Sequence, residues 1–183
     1  MKPFKYLALS VGVLCASESM ALIDGQILFG SRRSEGDSSG ENSFDGTTTK
    51  LSLYAEPLPL IPVAAGLTYA YTNYDPRAPL SKLTLSEYSV DVTAWLPLEI
   101  TSLKPYAKIG YVFHVEAEGS GTVGAENVSL SREGSGMRYA VGIKYAPIPL
   151  LAGMLEYEIV DIDYNESGGE AGTAICFGLS LSV

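Results

Sequence analysis

The stretch Lys104 to Glu118, K-P-Y-A-K-I-G-Y-V-F-H-V-E-A-E, decides the fold. From Tyr106 onward its residues alternate with period two, the signature of a β-strand rather than a helix. Ala107, Ile109, Tyr111, Phe113, Val115 and Ala117 share one face; Tyr106, Lys108, Gly110, Val112, His114 and Glu116 share the other. In a half-buried strand of a water-soluble protein the first face would enter a core and the second would be solvated. A chain built almost wholly from such strands leaves that core without a place.

Working outward, seven more alternating segments occupy 22–30, 47–56, 63–72, 85–96, 136–146, 152–161 and 173–183. Leu51 and Leu53, Val90 and Val92, Val141 and Ile143, or Ile175 and Phe177 mark their apolar faces. The opposite faces are small, polar or charged. In the seventh segment the alternation breaks near Asp161 to Asp163, which suggests a bulge. Three connections are short and proline-bearing (57–62, 97–105, 147–151); four are polar and mostly longer (31–46, 73–82, 118–135, 164–172). Proline cannot donate to a sheet ladder and suits strand ends. Segments of about 9 to 12 residues are long enough for a tilted strand to cross a bilayer. Short turns at one end and long polar loops at the other are the pattern of an outer-membrane barrel. An even strand count puts both termini at the short-turn end.

The first 21 residues read as a removable signal peptide. Lys2 and Lys5 supply a positive start, Tyr6 to Ala16 an apolar run, and Ser19-Met20-Ala21 a small-residue cleavage site. Residues 22–183 then form one domain. The net charge of −9 becomes −10 once Lys2, Lys5 and Glu18 are removed, which argues against nucleic-acid binding. Cys176 is left as a lone thiol, so no internal disulfide forms.

The expected architecture is therefore all-β, an eight-stranded antiparallel up-and-down transmembrane β-barrel. Eight strands enclose a space just wide enough for side chains to fill, and the aliphatic face points outward to lipid. By parity the lumen receives Lys50, Lys108, Arg138 and Lys144 with Asp24, Glu56, Glu87, Asp91, His114, Glu116, Glu156 and Glu158. Antiparallel counting sets Glu116 beside Arg138 and Lys144 beside Glu156. Unpaired charges there would be costly, so a connected ion-pair network is expected. Tyr54, Trp95 and Tyr106 share the inward parity near the short-turn end and form a candidate aromatic plug. Tyr69, Tyr71, Tyr88 and Tyr139 fall outward near the long-loop end, as an interfacial girdle does. The inverted reading is a soluble lipocalin-like carrier with a greasy interior; the girdle and the Gly-, Ala- and Ser-rich inner face weigh against it.

K-P-Y-A-K-I-G-Y (104–111), the alternating C-terminal strand and the signal peptide resemble the small outer-membrane β-barrel family of the OmpA/OmpX-like eight-stranded type. The resemblance implies a monomer in a Gram-negative outer membrane with periplasmic termini. It also implies outer-membrane lipid or lipopolysaccharide and the barrel-insertion machinery as partners. Members of this family usually end in an aromatic residue, whereas this chain ends in Val183, with Phe177 as an internal substitute.

Catalytic chemistry has little material. His114 is the only histidine. Eight-stranded lipid A deacylases and palmitoyltransferases need a His with a nearby Ser on the lipid side or the rim. Parity turns His114 into the lumen, and no Ser lies two residues beyond it. The acidic group Asp161, Asp163, Glu166 and Glu170 lacks the spacing of an ordered calcium loop. No metal and no cofactor is expected. The reading is a structural or surface-interaction protein with a filled, non-conducting lumen, ahead of a narrow pore for small solutes and a soluble carrier.

Overall fold

The computed structural model describes residues 22–36, 43–56, 62–75, 80–96, 102–123, 126–148, 150–165 and 168–183. The expected signal peptide, residues 1–21, lies outside them. Eight strands follow one another: β1 Leu22–Gly36, β2 Ser43–Glu56, β3 Val63–Tyr74, β4 Leu80–Trp95, β5 Leu103–Val123, β6 Glu126–Ile148, β7 Leu151–Tyr164 and β8 Gly169–Ser182. Each pairs antiparallel with its chain neighbour, and β1 returns to β8, closing the barrel. The seam runs from Asp24 opposite Ser182 to Gly36 opposite Glu170. At its lower end Ile23 and Val183 exchange both backbone hydrogen bonds, at 2.9 and 2.8 Å.

Burial alternates residue by residue and runs inside out. Along β7, Leu155, Tyr157 and Ile159 are exposed, whereas Glu156, Glu158 and Val160 are buried. Phe177 is 64% exposed and Leu67 51%, whereas Lys50 is 1% exposed and Glu156 0%. Soluble monomers rarely expose contiguous apolar patches above a few hundred Å², and here the apolar surface encircles the barrel. Hydrocarbon is the solvent such a surface suits, and hydrocarbon demands a sheet without edges. This distribution overturns the soluble-carrier alternative.

Three local features depart from the sequence expectation. The polar segments 31–46 and 118–135 are largely strand, not loop, so β5 and β6 form a hairpin of 21 and 23 residues. Pairing continues past the point where outward residues cease to be apolar, and the hydropathy signal stops there while the ladder does not. Second, β5 carries a bulge. Val112 pairs with Ser89 and His114 with Tyr88, while on the other edge Val112 and Val115 pair with Gly136 and Gly134. The extra residue shifts the phase by one, so Val115 and Ala117 point inward and Glu116 and Glu118 outward. Third, no bulge occurs at Asp161 to Asp163. Pairing to β8 is continuous there, Ile162 is buried, and both aspartates face out above the apolar belt.

Of the expected girdle, Tyr69 and Tyr88 meet on neighbouring strands, whereas Tyr139 stands lower, opposite Ile109. Tyr69 and Tyr88 have ring centroids 5.0 Å apart, and Tyr88 also meets Phe113 at 6.5 Å. Arginine in place of Ile109 on the belt should cost about 2–4 kcal/mol near the midplane. The same change at exposed Thr122, high on the β5–β6 hairpin, should be near neutral. Folded fractions in lipid vesicles, read from heat-dependent gel mobility, check the difference.

Candidate functional site: the lumen

Inward positions of all eight strands build one polar interior. Among the described residues its buried charged groups are five cations (Arg32, Lys50, Lys108, Arg138, Lys144) and five carboxylates (Asp24, Glu87, Asp91, Glu156, Glu158). Ions this far from water are tolerated only when matched and hydrogen-bonded, and most of these form a chain. Arg32 Nη1 donates to Glu87 Oε2 at 2.8 Å, and its Nη2 lies 3.7 Å from Glu170. Glu87 Oε2 also accepts from Arg138 Nη2 at 3.2 Å. Arg138 Nε lies 3.2 Å from Glu158 as an ion pair, although the N–H is not aligned for a hydrogen bond. Lys50 bridges Glu158 at 2.8 Å to Glu156, and Lys108 reaches Glu156 at 2.8 Å. Near the short-turn end Lys144 pairs separately with Asp24 at 2.7 Å. Asp91 forms no direct ion pair among the described residues and is held by Thr68 Oγ1 at 2.5 Å and Tyr54 Oη at 3.1 Å.

The rings interleave with these charges. Tyr54 and Tyr106 are buried, and Lys108 Nζ lies 5.2 and 5.9 Å from their ring centroids, within cation–π range. Tyr106 Oη donates to Glu156 at 2.9 Å. Trp95 stands opposite Tyr106 in the register, half-buried against the cluster that holds Tyr106, Met154 and Leu28. Glycine makes room for both tyrosines. A Cβ on Gly66 would lie 2.5 Å from Tyr54 Cδ1, and one on Gly142 would lie 2.5 Å from Tyr106 Oη. Toward the long-loop end the inner face turns apolar. Tyr74, Leu85, Val112, Val115, Val160 and Ile162 form a second cluster there, flanked by Phe44, Leu83 and Tyr164.

The structure thus brings Lys50, Glu87, Lys108, Arg138, Glu156 and Glu158 into one network and sets Lys144 and Asp91 beside it. Two expected members leave. The β5 bulge turns Glu116 outward, opposite Glu133 rather than Arg138, and sets His114 against the outward Tyr88 ring at 5.9 Å. Lys144 is opposite Met154 in the register and pairs across the seam with Asp24, not with Glu156. The Glu56 side chain lies outside the described residues. The outward turn of His114 removes the parity argument that set it apart from catalysis. It nevertheless makes no hydrogen bond or ion pair with a hydroxyl or carboxylate among the described residues.

Arg32 and Glu170 belong to the network but were absent from the sequence expectation. Both sit in segments read as loop. Continuing the β1 phase from Gln26 and Leu28 through Gly30 would have placed Arg32 inside. Glu170 accepts from Tyr74 at 2.9 Å and Tyr164 at 2.7 Å, while Asp161 and Asp163 face outward, so the acidic group near the last turn is split between two faces.

A closed eight-stranded barrel with an apolar exterior and a packed ionic interior defines a small transmembrane β-barrel. The family model for the outer membrane protein beta-barrel domain matches residues 7–182, and the chain belongs to that family, whose members are barrels of Gram-negative outer membranes. No match was found among curated protein sequences. Among solved structures, Neisserial surface protein A aligns with a TM-score of 0.69 at 13% identity, over 87% of this chain and 96% of that one. Ail, the attachment invasion locus protein of Yersinia pestis, in complex with the heparin analogue sucrose octasulfate, aligns at 0.57 and 16% identity, over 89% and 99%. The outer membrane enzyme PagL aligns at 0.52 and 15% identity, over 87% and 99%. At such identities the likeness is one of fold, and the fold serves surface proteins and an enzyme alike.

Glu156 holds two buried lysines, so Glu156→Gln should destabilise the barrel by about 3–5 kcal/mol, the cost of stranding a buried charge. Adding Lys108→Met removes the stranded cation and should recover part of that loss. Urea unfolding of the single and double variants in the same vesicles reads the coupling.

Proposed function

We propose that the protein is a non-conducting, non-enzymatic barrel of the outer membrane whose role is structural and surface-directed. The observation that carries this reading is the filled lumen. Among the described residues five buried cations balance five buried carboxylates, with the Tyr54, Trp95 and Tyr106 rings near the short-turn end and the Leu85–Val115–Ile162 cluster toward the other. An ion entering would have to break matched pairs and pass two levels at which large side chains occupy the lumen. The termini then lie on the periplasmic side and the β5–β6 hairpin stands outside the cell. Outer-leaflet lipid surrounds the belt of a monomer, and the insertion machinery reads the apolar alternation of β8 up to Val183.

A specific observation favours the enzyme reading enough to name it, namely the outward placement of His114 in the aromatic girdle. Against it stands the lack of any described hydroxyl or carboxylate bonded to that ring, since an activated nucleophile needs a base in hydrogen-bond reach.

Refolded into a planar bilayer, the wild-type protein should give no steady ionic current. Trp95→Ala combined with Tyr106→Ala should leave it silent or flickering, because the second filled level persists. Ohmic steps in the wild type that the double substitution leaves unchanged would refute the filled lumen.

Orientation is tested separately. In intact cells a membrane-impermeant maleimide should label Thr122→Cys and spare Leu96→Cys; both sites are exposed at opposite ends of the barrel, and the native Cys176 is fully buried.

A further inference from the structure

Above the tyrosine girdle, the outer face of β4, β5 and β6 carries a groove of about 270 Å³. Its polar lining is a grid. Lys82, Ser120 and Ser129 are register partners in one cross-strand row, and Thr84, Glu118 and Ser131 in the next. Strands lie about 4.8 Å apart and alternate residues about 6.6 Å apart, so the grid covers roughly 10 by 7 Å. The β5 bulge creates it. Without the phase shift at Phe113–His114, Glu118 and Ser120 would point into the lumen.

The lining is unusual in having no partners among the described residues. None of these six side chains makes a hydrogen bond or ion pair among the described residues, whereas most buried polar side chains of the lumen are tied to one another. Lys82 and Glu118 occupy diagonal grid positions and form no ion pair among the described residues. Thr84 is only 5% exposed, so its hydroxyl lies at the floor rather than the rim.

We propose that this groove binds a saccharide. Four hydroxyls that donate and accept, a carboxylate able to accept hydrogen bonds from two hydroxyls and an ammonium able to donate to ring or hydroxyl oxygens suit a polyhydroxylated ligand. One cation against one carboxylate is a poor match for a polyanion, which needs several matched bases. A single carboxylate is likewise too few for a divalent cation, which takes six or more oxygens. The volume lies near the lower end of the range of about 300–1,000 Å³ for small-molecule sites, enough for one or two rings. Thr84 is four residues along β4 from Tyr88, about 13 Å of strand above the girdle. Sugars of the membrane's own glycolipid and glycans from outside both reach that level.

This inference rests on the surface-directed reading, and its test is independent of the conductance measurement. Calorimetric titration of the refolded protein in phosphatidylcholine nanodiscs would use three probes: the core oligosaccharide released from lipopolysaccharide, a neutral tetrasaccharide of external origin, and sucrose octasulfate. Saturable binding of either of the first two, weakened about tenfold or more by Glu118→Gln and by Ser129→Ala with Ser131→Ala, is expected. The probe that binds identifies the source. All six positions face away from the lumen, so the variants should keep wild-type heat-dependent mobility. Binding of neither saccharide, binding that the substitutions leave unchanged, or binding of sucrose octasulfate alone would overturn the proposal, while a silent bilayer recording would still stand for the barrel.

Discussion

Every strand here answers to one requirement: no backbone N–H or C=O can face hydrocarbon unpaired, at several kcal/mol for each that does. The seam between β1 and β8 satisfies it, down to the exchange between Ile23 and Val183. Once closed with eight strands, the barrel has an interior about one side chain deep. The interior must then be solvated by the chain itself. That is why its lysines and arginines meet glutamates at hydrogen-bond distance, and why one oxygen of Asp91 accepts from two hydroxyls.

Filling so narrow a space makes shape as strict as charge. Tyr106 reaches Glu156 only because Gly142 leaves its ring a place, and Tyr54 lies over Gly66 toward Asp91. The hydrogen-bonded tyrosines and the ionic chain are therefore one construction, with Lys108 lodged between two rings and bonded to the same carboxylate as one of them.

Much of this was legible from the period-two pattern, because within the belt a strand has lipid on one side and a polar lumen on the other. Lys50, Glu87, Lys108, Arg138, Glu156 and Glu158 could be assigned to the inside from parity alone. The pattern misled where two inversions coincide. At Phe113–His114 the bulge swaps the faces of β5, and at the same height the surroundings swap too, lipid giving way to water outside and charge giving way to an apolar cluster inside. The two changes cancel in the hydropathy record, so V-E-A-E continues the alternation of the strand below while pointing the opposite way. Partners across the barrel, such as Arg32 with Glu87 or Lys144 with Asp24, were beyond counting from adjacent turns because they depend on how the sheet closes.

The glycine cradles carry a consequence for descent. An alanine at Gly142 collides with Tyr106, and a smaller residue at Tyr106 leaves a void and an unserved Glu156, so neither position can change profitably alone. Inward positions must drift in pairs, along coordinated paths that few single steps open. Outward belt positions ask only to be apolar and can drift freely. The architecture therefore fixes few letters singly: it asks for matched pairs inside and only for apolar character outside.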